Sequence, residues 1–143
     1  MSRQLLLLVI LAMLTSAGGC ASGPNLPDYV APTLAADQAS SIDGYAGTYI
    51  TVVDNTKIPG QWLFMENMGG NKVVLAPGPH HLTIERHTGS GGGGMMLHNT
   101  ARWAVDHDFK IGHDYEIGPE NRWNPFNSTM VIKDKKDGTI KSL

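Results

Sequence analysis

A single cysteine, Cys20, is all the thiol chemistry that the 143 residues contain. One sulfur excludes an intramolecular disulfide, so the fold has to be held by packing. Surplus charge is missing as well. Eleven Lys and Arg against thirteen Asp and Glu leave a formal charge of −2, with no basic excess to suit nucleic acid or anionic lipid. Long apolar runs are absent too. The longest, Leu5–Leu14, has ten residues, about half of the roughly 20 a membrane-crossing helix needs. Helical periodicity is confined to a weak hint over Leu34–Ser40. What is abundant is glycine, with 17 residues, and proline, with 8. These break the chain into short clusters of Val, Ile, Thr, Tyr, Trp and Phe, a distribution that favours strands.

The apolar run has a specific context. Arg3 precedes it, and the small residues Ala17-Gly18-Gly19 follow it and lead into Cys20. A positive start, a short apolar stretch and a small-residue cleavage site describe a secretory signal. With cysteine at the cut, the segment resembles a bacterial lipoprotein signal over residues 1–19. That resemblance implies a diacylglycerol on the Cys20 sulfur, cleavage just before Cys20 and a further acyl chain on its amine. Two or three chains anchor stably where one is marginal, because each buried CH₂ adds about 0.8 kcal/mol. Ala21 after the cysteine, in place of Asp, implies the outer membrane by the same resemblance. The alternative is an ordinary secretory signal cut near Ala17 or Ala21.

Beyond the cut, residues 20–41 are poor in periodicity and hold Pro24, Pro27 and Pro32. The composition predicts a flexible tether. Residues 42–143 then predict one domain, and about 124 residues after cleavage are enough for a single core. Strands are expected over 47–53, 72–75, 81–87, 95–111, 115–117 and 128–134, with 61–68 either a strand or a short helix. In the long segment, Ala101, Trp103, Val105, His107, Phe109 and Ile111 alternate with Arg102, Ala104, Asp106, Asp108 and Lys110 and should face a core. Pro77-Gly78 predicts a reversing type II turn, and Asp137-Gly138 a hairpin turn before Ile140. The expected fold is all-β, a small antiparallel β-sandwich of about six to eight strands.

Gly89-Ser90-Gly91-Gly92-Gly93-Gly94 formally matches a phosphate-binding glycine pattern. That chemistry needs a following helix whose amides face the anion. The alternation after it predicts a strand instead, so the glycines are expected to form a mobile hairpin loop.

Four features of residues 72–143 carry a family resemblance: Leu75-x-Pro77-Gly78-x-His80-x-Leu82-x-Ile84, the long strand reaching Phe109, Gly112-x-x-Tyr115-x-Ile117, and Val131-Ile132-x-Asp134 with Asp137-Gly138. Together they resemble small bacterial lipoproteins with a β-sandwich domain, loosely related to PEGA-type modules. The resemblance implies a fold and an envelope location. It carries no catalytic residue.

Candidate chemistry is sparse. Six histidines lie around the predicted hairpins, with Asp106, Asp108 and Asp114 close in sequence, and imidazole plus carboxylate is a metal-binding combination. His81 and His113 are the candidates, but no HExxH or cysteine pair accompanies them. His80 and His81 are adjacent on a strand and should point to opposite faces. No Gly-x-Ser-x-Gly is present, the cysteine is assigned to lipid, and Asp106 and Asp108 fit a solvated strand face. No catalytic residue, metal or cofactor is expected beyond the covalent lipid. Trp123, with Phe126, either offers an exposed anchor for a partner or folds down to cap one end of the sandwich. The sequence therefore predicts a non-enzymatic binding or assembly module. It would be anchored through Cys20 on the periplasmic face of the outer membrane and engage an envelope protein. The alternative is a periplasmic domain binding a metal or small ligand through its histidines.

Overall fold

Alternation along the chain becomes sidedness in the fold. The computed structural model describes residues 25–59, 69–92, 95–124 and 128–143, and every regular element among them is a strand. These are β1 (Ser40–Tyr45), β2 (Thr48–Val53), β3 (Thr56–Lys57), β4 (Gly69–Leu75), β5 (Gly78–Gly92), β6 (Met95–Phe109), β7 (Asp114–Pro119), β8 (Met130–Asp134) and β9 (Ile140–Ser142). They make two sheets, ordered β4-β1-β7-β8-β9 and β3-β2-β5-β6. Pairing is antiparallel except between β1 and β7, which run parallel. The chain is a small all-β sandwich. The described residues hold nine strands where about six to eight are expected, because β1, Ser-Ser-Ile-Asp-Gly-Tyr, has too few apolar residues and the two-residue β3 is too short to show a hydrophobic period.

The core lies between the sheets. Ile42, Val73, Leu75, Tyr115, Ile117 and Ile132 from one sheet meet Ile50, Val53, Leu82, Ile84, Val105 and Phe109 from the other, all buried. Each buried aliphatic side chain of this kind contributes about 1.5–3 kcal/mol. On β5, Leu82 and Ile84 are buried while Thr83 and Glu85 alternate with them on the outer face, as the sequence pattern requires. On β6 the pattern holds for Val105 and Phe109 but fails beyond them. Ile111 is 53% exposed, because β6 ends at Phe109 and Lys110–His113 forms a turn with Gly112 at φ 65°. In a turn, the backbone sets side-chain direction in place of the pleat. Ala101, at the other end, is also exposed.

Three further expectations change. Pro77-Gly78 does not join a hairpin: β4 and β5 belong to different sheets, so the segment carries the chain across the sandwich. The glycine run is no loop over most of its length. Gly89–Gly92 continue β5 and pair with Met95–His98 of β6, since the cross-strand ladder is built from backbone groups that glycine also has. Residues 93–94, where the hairpin turns, lie outside the described residues, as does the 61–68 segment. Finally, part of the expected tether is fastened to the sandwich. Lys57 N–H donates to Pro27 O and Tyr29 N–H to Lys57 O, at 2.9 and 2.7 Å. The Tyr29 hydroxyl donates to Val74 O at 2.6 Å, and its ring packs on the core. An aromatic ring and three hydrogen bonds fasten what composition alone reads as a spacer. Ala39 is buried and β1 begins at Ser40.

One corner joins the sheets. The Asn71 side chain on β4 accepts from Ile50 N–H at 2.8 Å and donates to Ile50 O at 2.9 Å, reproducing the two bonds of an antiparallel partner. Ile50 adjoins the irregularity in the β2–β5 register, between Ile50 and Val52. Asn71→Ala would leave both backbone groups without this partner. It should lower unfolding free energy by about 1–3 kcal/mol, measured by urea denaturation, with the midpoint shifting at constant slope.

Candidate functional site

The register gives the sandwich two distinct ends. Tyr29, Val53, Leu75, His81, Asp114 and Asp134 lie at the end where the N-terminal strap docks, since Val53 pairs with Leu82, Ser40 with Leu75 and Tyr115 with Asp134. Tyr45, Thr48, Gly69, Arg86 and Pro119 lie at the opposite end.

The strap end gathers the titratable groups. His113, on the β6–β7 turn, stands with Asp134 at the close of β8 and Asp137 in the β8–β9 turn, their candidate ligand atoms all within 4.8 Å of one another. His113 Nδ1 lies 2.7 Å from Asp134 Oδ2, and the same carboxylate accepts from the backbone N–H groups of Lys136 and Asp137 at 2.9 and 3.3 Å. Lys110 Nζ donates to Asp137 at 2.6 Å and lies 3.9 Å from Asp134. Burial pushes Asp134 upward, but the hydrogen bonds from His113, Lys136 and Asp137 outweigh it and hold the carboxyl below its ordinary value. Asp137 is held lower still by Lys110 and Thr139. Each carboxylate is thus engaged by donors that close the β8–β9 turn, and the Lys110 ammonium supplies the positive charge a metal would bring. A cation taking these ligands would displace Lys110 from Asp137.

His81 is elsewhere. Its Nδ1 lies 2.7 Å from Asp106 Oδ1, on the exposed outer face of the β5–β6 pair. His80 is half-buried, with Nδ1 bonded to Asp54 and Nε2 facing Ala76 O at 2.8 Å. Asp54 also accepts from His81 N–H, and these bonds outweigh its burial and lower its pKa. The structure does not bring His81 and His113 into one cluster. Asp134 and Asp137, the partners of His113, stand 21 and 24 positions along the chain, and their only local signal is the Asp137-Gly138 turn. His107 packs edge-on to Phe109 and Tyr115, at 4.7 and 5.2 Å between ring centroids. Burial lowers its pKa first, Lys141 and Lys110 add to that, and Asp108 and Asp134 oppose them. His107, Tyr115, Asp134 and Lys141 line a shallow groove of about 230 Å³, below the roughly 300 Å³ where small-molecule pockets begin.

The opposite end differs in character. Tyr45 donates to Pro119 O at 2.6 Å and packs on Gly118, where a Cβ would stand 2.7 Å from the ring. The Arg122 guanidinium covers that ring at 4.4 Å and donates to Glu116. Asn121 then shapes the loop: its Oδ1 accepts from Trp123 N–H and Asn124 N–H, and its own N–H donates to Ser128 Oγ at 2.7 Å. Trp123 emerges 97% exposed. Of the two sequence readings of this residue, the cap is overturned: Arg122 takes the covering position over Tyr45, and the indole is directed outward. Phe126 lies outside the described residues. Buried Arg86 is at this end too, its pKa lowered by burial; its Nε and the Thr48 hydroxyl have no hydrogen-bond partner among the described residues.

No family model, curated protein or solved structure matches the chain. Among the described residues, no helix is long and apolar enough to cross a membrane.

The strap end predicts a two-step acid response. His107 is depressed when folded, so unfolding takes up a proton and stability falls as pH drops below about 6.5. Asp54 and Asp134 are also depressed. Their contribution is full above about pH 4 and is lost as pH falls through their folded values. The urea midpoint measured against pH should show both steps. His107→Gln should remove the upper step and keep the lower, while Asp134→Asn should shrink the lower and cost about 3 kcal/mol at neutral pH.

Proposed function

We propose that this protein is a lipid-anchored component of the cell envelope, acylated at Cys20 and held at the periplasmic face of the outer membrane. In this reading its β-sandwich is a non-enzymatic binding or assembly module. The observation that carries the binding role is Trp123, nearly fully exposed on a loop fixed by Asn121, Ser128 and the Arg122–Tyr45 contact. An exposed tryptophan beside an arginine is the composition of an interface hot spot.

Polarity supports the same reading. The strap fastens by Pro27–Tyr29, at the end of the sandwich opposite Trp123. The eight steps from Cys20 to Asp28 span at most about 28 Å. An acylated Cys20 would keep the strap end close to the bilayer and leave Trp123 facing away from it. Confinement of this kind raises the effective concentration of the module near other envelope proteins. The resemblance to small β-sandwich lipoproteins points the same way.

The test combines mass and contact. Protein extracted from membranes should have the mass of a chain beginning at Cys20 plus acyl groups, and Cys20→Ser should abolish the addition. A photo-crosslinker at Asn124 should give a discrete adduct with an envelope protein, and Trp123→Ala should weaken that interaction by about 30-fold. An unacylated mass overturns the anchor, and an adduct indifferent to Trp123→Ala overturns the binding surface.

A further inference from the structure

The long β5–β6 hairpin outruns the sandwich. Its fifteen cross-strand pairs run from Gly78 and Phe109 to Gly92 and Met95 without a bulge. β2 accompanies β5 only as far as Arg86, opposite Thr48, and the last backbone contact is His87 N–H to Gly47 O at 2.9 Å. From Thr88 onward the hairpin is a two-stranded ribbon among the described residues, reaching about 17 Å beyond the sheet at the usual rise per residue. An isolated two-stranded ribbon is marginal in water, and three or more strands are needed for independent stability.

The two halves of β6 treat their open edge differently. Near the sandwich, Lys141 Nζ donates to the Asp106 carbonyl at 2.6 Å, and Arg102, Asp106 and Asp108 place charges along the strand. Charges and a lysine on an edge carbonyl are the usual guards against strand addition. The outer half has none of these. His87 to Ala101 contains no Asp, Glu, Lys, Arg or Pro, and no strand among the described residues pairs with the outer edge of β6.

We propose that the outer half of β6, Met95–Ala101, pairs antiparallel with the same segment of a second copy of this chain, forming a continuous sheet β5-β6-β6-β5 across a two-fold axis. A two-fold pairing brings each residue of the segment against its mirror position, so any charge near the axis would oppose its like. A charge-free segment meets that requirement, and the midpoint of Met95–Ala101 places His98 on the axis. The pairing converts a marginal ribbon into the middle of a four-stranded sheet. Main-chain hydrogen bonds supply the recognition, as in other strand additions. It does not depend on the lipid or on Trp123.

Sedimentation equilibrium and light scattering on the full-length protein in detergent test it. Expected is a dimer that dissociates on dilution and persists in Cys20→Ser and in Trp123→Ala, so its loss is separable from loss of the envelope reading. Leu97→Lys sets like charges beside the axis and should raise the dimer dissociation constant by about tenfold or more. In a Cys20→Ser background, His98→Cys should crosslink between copies under mild oxidation, because facing residues of antiparallel strands lie about 4.5–5.5 Å apart at Cα, within disulfide reach. Thr88→Cys should not. A monomer at every concentration, with circular dichroism showing the folded sheet, overturns the proposal; so does a dimer that ignores Leu97→Lys or leaves His98→Cys uncrosslinked.

Discussion

The two hydrogen bonds between the Asn71 side chain and the backbone of Ile50 set the geometry on which the rest of the sandwich depends. β2 and β4 lie in different sheets, and no ladder joins them. A side-chain amide has the same donor and acceptor pair as a peptide unit, so Asn71 completes Ile50, which β3, paired only with Val52 and Val53, does not reach. The approach it requires is close. A Cβ on Gly70 or Gly44 would overlap backbone atoms of Gly44 or Thr48, so glycine is required at both positions. With that corner fixed, the β1–β2 connection can turn through Ala46 and Gly47, both at positive φ, and place β1 and β2 in facing sheets.

From this crossing follows the division of labour between the ends. β1 runs away from the strap and β2 returns, so polar groups at the start of β1 and the end of β2 share one end with the β6–β7 and β8–β9 turns. Carboxylates there are consumed by donors: Asp134 by His113 and two backbone amides, Asp137 by Lys110 and Thr139, Asp54 by His80 and His81. Such networks fix turns and tie stability to pH. At the other end, Arg122 covers Tyr45, Arg86 is buried, and Trp123 is left to solvent. The histidine–carboxylate pairs that draw attention in the sequence are thus engaged in hydrogen bonds at the strap end of the sandwich. Trp123, the most exposed of the large apolar side chains among the described residues, lies at the opposite end.

Much was legible in the residues themselves. Strand character, the burial of Leu82, Ile84, Val105 and Phe109, and the Asp137-Gly138 hairpin all follow from period-two patterning and local turn chemistry, which act over a few residues. The same local rules misplace Ile111, where the strand has already ended, and read the glycine run as a loop, because they register missing side chains and not the backbone ladder of a facing strand. Tyr29 looked like part of a spacer for a related reason: its partners, Lys57 and Val74, are 28 and 45 positions away.

By itself, then, the sequence determined an all-β chain, a fold that no internal disulfide can hold, and the resemblance of its first twenty residues to a lipidation signal. Each of these depends on composition or on neighbours within one strand or turn. Tertiary structure alone decided which sheet each strand joins, that β1 and β7 run parallel, that Asp134 and Asp137 meet His113, and that Trp123 and the outer ribbon share the end away from the strap. Those outcomes rest on contacts between residues far apart in the chain. Periodicity tells a residue which face it occupies but not which strand will lie beside it.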